Sequence, residues 1–138
     1  MMGLIGALLE APHTFAVVGA SREISKYGHE VLESLAQSGH RVLPINPRYN
    51  AIDGHACHAS LSDLLEVPDV VVTAAPAPVS AMIAETCAAL GIRIFWMPPG
   101  TESDAALETC THNNVTAIHG FCPVFLLKLP RERWVELR

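Results

Sequence analysis

Four short apolar runs in this chain each stop abruptly on glycine or proline. They are TFAVV before Gly19, RVLPI before Asn46-Pro47, VVVTA before Ala75-Pro76, and RIFWM before Pro98-Pro99-Gly100. Runs of four or five residues are too short for helices, and VVVTA is β-branched throughout its apolar stretch. That is the mark of a strand buried on both faces of a parallel sheet. Between the runs lie helical periodicities. Tyr27–Ser38 places Val31, Leu32 and Leu35 on one face and stops at Gly39. A second helix is expected over about 79–90, ending at Gly91, and a third over 103–113. SLSDLLEVP reads as another short helix capped by Ser60 or Ser62, and VTAIHG as a fifth strand.

Strand and helix in strict alternation predict right-handed crossovers and a parallel sheet. The expected fold is α/β: a single-domain, Rossmann-like, doubly wound sheet of about five strands with flanking helices. One domain takes up all 138 residues, with its core over about 12–126. Half of the residues are hydrophobic and 17% are charged, which suits a sheet covered on both faces. Pro44 interrupts the ladder of the second strand and puts it near an edge. MMGLIGALLEAPHTF reads as a first helix with Ile5, Leu8 and Leu9 turned inward. It has no basic residue ahead of it and is too short to span a bilayer, so neither export nor a membrane is expected.

The net charge of −5 argues against nucleic acid as a partner. Cys57, Cys87, Cys110 and Cys122 include no C-x-x-C pair and read as reduced thiols of a cytoplasmic protein. His55, Cys57 and His58 lack a second ligand pair at metal-site spacing and read as a polar loop, so no metal is expected.

Doubly wound sheets bind ligands beyond the carboxyl ends of their strands. None of those ends offers a catalytic set. The first instead offers Gly19-Ala20-Ser21, followed by Arg22 and Lys26 ahead of a helix. Glycine lets a bound group approach the backbone, the serine hydroxyl can meet a phosphate oxygen, the helix start presents amides, and the cations add charge. This is a candidate pyrophosphate cradle. It is not the G-x-G-x-x-G fingerprint, because Gly28 lies too far along, and G-x-x-x-x-G-K-[ST] is absent as well. The second end offers Asn46-Pro47-Arg48 where an NAD site places a carboxylate. Asn46 can bond ribose or adenine, and Arg48 suits an additional phosphate. Coenzyme A and NADP both carry one.

VVGASREISKYGHEVLESLAQSGHRVLPINP, DVVVTAAPAPV, GIRIFWMPPGTES and the late Cys122 together resemble the small stand-alone CoA-binding proteins. These are single-domain relatives of the CoA-binding domain of succinyl-CoA synthetase. The resemblance implies a Rossmann-like domain that binds coenzyme A or an acyl-CoA. Gly19, Ala20, Ser21 and Lys26 match the phosphate turn, Asn46 and Pro47 the adenosine side, and Ala75 and Pro76 the third lip. Pro99 and Gly100 match a turn that commonly reads Gln-x-Gly, but Pro98 stands here at the glutamine position. The synthetases' phosphohistidine belongs to a second domain, so the resemblance carries over no catalytic residue.

Two readings are open for His119 and Cys122, a reactive thiol with its base or a core or rim pair, and Cys122 is a candidate for a mixed disulfide with the CoA thiol. Phe95 and Trp96 read as core aromatics. The expected function is non-catalytic binding, for sensing or for presenting CoA to a protein partner. The alternatives are a small NADP-dependent oxidoreductase, a remnant acyl-CoA synthetase subunit, or a structural subunit with a vestigial pocket. RERWVELR and the first helix are candidate surfaces for a homo-dimer.

Overall fold

The computed structural model describes residues 1–135. Its main sheet contains β1 (Thr14–Val18), β2 (Arg41–Ile45), β5 (Val70–Thr73), β6 (Ile94–Met97) and β7 (Thr116–His119). The spatial order is β2-β1-β5-β6-β7, with every neighbouring pair parallel. Strand order therefore reverses between β1 and β5, where Val18 is in register with Thr73. Pro44 sits in the edge strand β2, as its missing donor requires.

Side chains alternate across the sheet and build two cores. Phe15, Val17, Val70, Val72 and Trp96 face one layer, made by α1 (Met2–Glu10), α2 (Tyr27–Gln37) and α5 (Pro123–Leu127). Ala16, Val71, Phe95 and Met97 face the other, made by α3 (Ser80–Leu90) and α4 (Asp104–His112). Phe95 and Trp96 are fully buried, and the Trp96 indole N–H donates to the Phe121 carbonyl at 2.9 Å. Ile5, Leu8 and Leu9 of α1 are buried as expected.

Two segments depart from the sequence expectation. SLSDLLEVP forms only one 3-10 turn, Leu61–Asp63, because the backbone is already extended at Leu64. Leu61 enters the core while Leu65 is 99% exposed, so the segment has no continuous apolar stripe to bury as a helix. The tail, for which the sequence suggests no helix, contributes α5 and α6 (Arg131–Val135), with α6 beside α1. Residues 136–138 of that tail lie outside the described residues. Asp53-Gly54 closes a small hairpin of β3 (Ala51–Ile52) and β4 (His55–Ala56). Both turn residues have positive φ, 49° and 82°, as a two-residue primed turn demands. Among the described residues no helix is long and apolar enough to cross a membrane.

Candidate functional site

The reversal between β1 and β5 opens into a cleft of about 360 Å³. Gly19, Ser21 and Lys26 line it from the first strand end, Asn46 and Arg48 from the second, and Ala74 from the third. A depression of similar size, about 390 Å³, lies among His13, Asp69 and Arg93. That one is at the amino ends of the strands, where doubly wound sheets do not place their ligands.

Backbone conformation and space both favour glycine at position 19 in the cleft lining. Gly19 has φ +83°, and a Cβ there would stand 3.1 Å from the Ala74 carbonyl carbon and the Ala75 nitrogen. Its amide donates to the Ile45 carbonyl at 3.0 Å, while the Ala74 amide donates to the Val18 carbonyl at 2.7 Å. Three strand ends are thereby locked together. Gly28 lets α2 begin against this turn, since a Cβ on it would overlap the Gly19 carbonyl oxygen. Among the described residues Lys26, at the N-cap of α2, makes no side-chain cap hydrogen bond, and the His29 amide turns back to the Lys26 carbonyl at 3.1 Å.

Ser21 is buried, and its hydroxyl oxygen accepts the Glu23 amide at 3.0 Å. The Lys26 ammonium lies 3.9 Å from a Glu23 carboxylate oxygen, with both side chains more than 60% exposed. A pair so solvated holds its partners weakly. Asn46 bridges two strand ends: its side-chain N–H donates to the Ala20 carbonyl at 2.9 Å, and its side-chain oxygen accepts the Arg48 amide at 2.9 Å. Its amide group thus braces the wall of the cleft as well as bordering it.

Several expected site residues stand apart from the lining. Ala20 serves as the acceptor for Asn46, and Pro47 links Asn46 to Arg48. The Ala75 amide is satisfied by the Thr73 hydroxyl at 3.0 Å, with Pro76 following as the cap of a 3-10 turn. The Pro99-Gly100 turn is tied back on itself. The Gly100 amide donates to Glu102 at 2.8 Å, and the Thr101 hydroxyl donates to the Pro98 carbonyl at 2.7 Å. The Arg22 guanidinium lies 5.1 Å above the Tyr49 ring, and its Nε donates to the Ala51 carbonyl at 2.9 Å.

The sequence reading missed Glu23, Tyr27, Gly28 and Tyr49 in the lining. The Tyr27 hydroxyl lies 3.1 Å from Cys122 Sγ, so Cys122 meets Tyr27, and His119 is exposed. Burial, and then the contact with Cys122, pushes the Tyr27 phenol far up from its ordinary value, so it stays protonated. His29, also unassigned by sequence, is buried on α2 and contacts the Asp53 carboxylate at 2.8 Å. The Glu33 carboxylate brings three ligand-type atoms within 4.8 Å, two of the three residues being exposed. Among the described residues His55, Cys57 and His58 join no such group, and the Cys57 thiol turns to the Asn46 carbonyl at 3.5 Å.

The family model described as a CoA binding domain matches residues 13–128. The ADP-forming acetate–CoA ligase of Methanocaldococcus jannaschii is 30% identical over 82 residues, 59% of this chain. One from Archaeoglobus fulgidus is 32% identical over 84 residues. The chain covers 12% of the length of either ligase. A conserved hypothetical protein from Pyrococcus furiosus superposes with a TM-score of 0.78 at 32% identity, over 83% of this chain and 98% of its own.

Proposed function

From the premise that this chain belongs to the CoA binding domain family, we propose that its cleft binds coenzyme A or an acyl-CoA without turning it over. One observation carries this reading. The glycine turn, Ser21, Lys26 and Arg48, separated by up to 29 positions in sequence, converge on a single cleft at the strand-order reversal. In the proposed mode the pyrophosphate lies against Gly19, Ser21 and the start of α2, where amides and the helix dipole favour an anion. Lys26 adds charge, and Arg48 takes the additional phosphate. The lining contains no nucleophile held by a base, which supports a holding role, either sensing CoA or presenting it to a protein partner.

The test is a thermal-shift series with CoA, acetyl-CoA, NADP, NAD and ATP, followed by calorimetry on each hit. A ligand at a hundredfold excess over its Kd that binds only the folded chain adds about 2.7 kcal/mol. Stabilisation by CoA that is lost in Lys26→Ala is expected. Stabilisation by NADP alone would replace the reading with a reductase, and no response to any ligand would leave a vestigial pocket.

The ligase relatives favour a second role, delivery of CoA to a separate partner that carries out acyl transfer. Acyl-CoA formation by the chain alone from acetate, ATP and CoA would refute the non-catalytic part of both readings.

A further inference from the structure

Arg22 sits within the phosphate turn, between Ser21 and Glu23, and both of those neighbours line the cleft. Arg22 itself does not. It reaches across to the segment after β2, where its Nε donates to the Ala51 carbonyl and its guanidinium covers the Tyr49 ring. Tyr49 and the adjacent Arg48 form one wall of the cleft. The far side of that segment is held separately. Ile52 is fully buried, and His29 of α2 holds Asp53 in the hairpin turn. The wall is therefore pinned at its hairpin end by the core and α2, and at its cleft end by Arg22.

We infer that Arg22 is a positioning residue: it sets the Arg48–Tyr49 wall against the phosphate turn and does not grip ligand phosphate. The inference rests on the CoA reading of the cleft. It is specific to arginine, because one planar group both donates from Nε and stacks on a ring. A lysine keeps the charge but presents neither the fork nor the flat face.

The experiment is calorimetry of the full chain with CoA, on the wild type, Arg22→Lys, Arg22→Ala, Tyr49→Ala, Tyr49→Phe and the Arg22→Ala/Tyr49→Ala double variant. Unliganded melting confirms that each is folded. Loss of one stacking contact and one hydrogen bond should weaken binding by about five- to tenfold. Arg22→Lys is expected to lose as much as Arg22→Ala, and Tyr49→Phe to bind like wild type. The double variant should lose less than the product of the two single losses, since both singles remove the one stacking contact. The dependence of Kd on salt should be unchanged in Arg22→Ala, because the phosphate-facing cations are intact.

If Arg22→Lys binds like wild type, or the double variant multiplies the two losses, or the salt dependence falls, Arg22 is a phosphate contact and the inference is overturned. A wild type that gives no heat with CoA overturns the reading of the cleft itself, and with it any role for Arg22 there. Should the alanine variants fail to fold, Arg22→Lys against Tyr49→Phe still decides.

Discussion

Gly28 and Gly19 meet backbone to backbone, nine residues apart in sequence. A Cβ on Gly28 would overlap the Gly19 carbonyl oxygen and stand 3.0 Å from its carbonyl carbon and 3.2 Å from the Ala20 Cα. Every obstructing atom is main chain, so no side chain can swing aside. Gly28→Ala is therefore expected to cost about 2–3 kcal/mol, at the upper end of overpacking substitutions. It should also force α2 away from the phosphate turn and weaken CoA binding. Urea midpoints and a CoA titration of the variant check both. A midpoint equal to wild type would mean that α2 can retreat freely, and the contact would then have no bearing on the cleft.

That contact also marks where the sequence stopped being readable. The five strands were legible because short apolar runs ending in glycine or proline are local signals, as were the Gly19 turn, the Asp53-Gly54 turn and the edge position of Pro44. Gly28 enters the sequence pattern only as the glycine of Lys26-Tyr27-Gly28, and its spacing from Gly19 fits no dinucleotide fingerprint. Only the path of residues 20–27 brings it back onto Gly19. The Arg22–Tyr49 and Tyr27–Cys122 contacts join residues 27 and 95 positions apart, beyond any periodicity. α5 is five residues long, too short to show an apolar stripe, although Pro123 at its first turn was a usable start signal. The single turn at Leu61–Asp63 went the other way: local pattern suggested a helix that tertiary burial did not support.

Asn46 holds two strand ends with one side chain, donating to the Ala20 carbonyl and accepting from the Arg48 amide. Asn46→Asp keeps the acceptor but turns a carboxylate oxygen toward the Ala20 carbonyl. A loss of about 1–3 kcal/mol is expected, with weaker CoA binding because a negative charge is added beside the proposed phosphate sites. Asn46→Ala should cost less, about 1–2 kcal/mol, and leave the charge of the cleft unchanged. Chemical denaturation and calorimetry of the pair separate bracing from charge. Equal CoA affinity in the two variants would remove the electrostatic part of the argument.

The four thiols should divide into two pairs. Cys87 and Cys110 are buried, and burial pushes Cys87 up to about 12 and Cys110 in the same direction. Cys57 and Cys122 are only half-buried. Thiolate is the reactive form, so Cys87 and Cys110 should stay unlabelled by iodoacetamide at pH 8 until the chain unfolds, while Cys122 reacts and Cys57, less buried than they are but with a thiol that burial also pushes up, reacts more slowly. Stability should also fall as pH rises above the ordinary thiol value of 9.0, because the unfolded chain gives up the Cys87 proton first. Oxidised CoA offers a further readout. Attack of the Cys122 thiolate on its disulfide would leave a Cys122–CoA disulfide and release one CoA thiolate. Intact mass of a variant lacking the other three cysteines should show that single adduct. Native labelling of Cys87 would contradict the burial argument, and absence of the adduct would remove Cys122 from the ligand's reach.

His40 gives the chain an acid-sensitive joint at the opposite end of the sheet. Its ring packs edge-on to Phe15 with 4.8 Å between centroids, and its Nδ1 accepts the His13 amide at 3.1 Å. The neutral ring then carries its hydrogen on Nε2, which is buried without a partner among the described residues. Burial, followed by the charges of His13 and Arg131, pulls the His40 pKa below its ordinary 6.5. The unfolded chain therefore binds a proton that the folded chain refuses. This contribution to stability is present above pH 6.5 and is lost as pH falls from there toward the depressed folded value. Protonation also places a hydrogen on Nδ1 and abolishes its bond from His13, which leads into β1. Urea midpoints from pH 7.5 down to 5 are expected to fall more steeply for wild type than for His40→Gln, which removes the titrating ring and keeps an acceptor for the His13 amide. Parallel curves for the two proteins would show that His40 takes no part in the acid response.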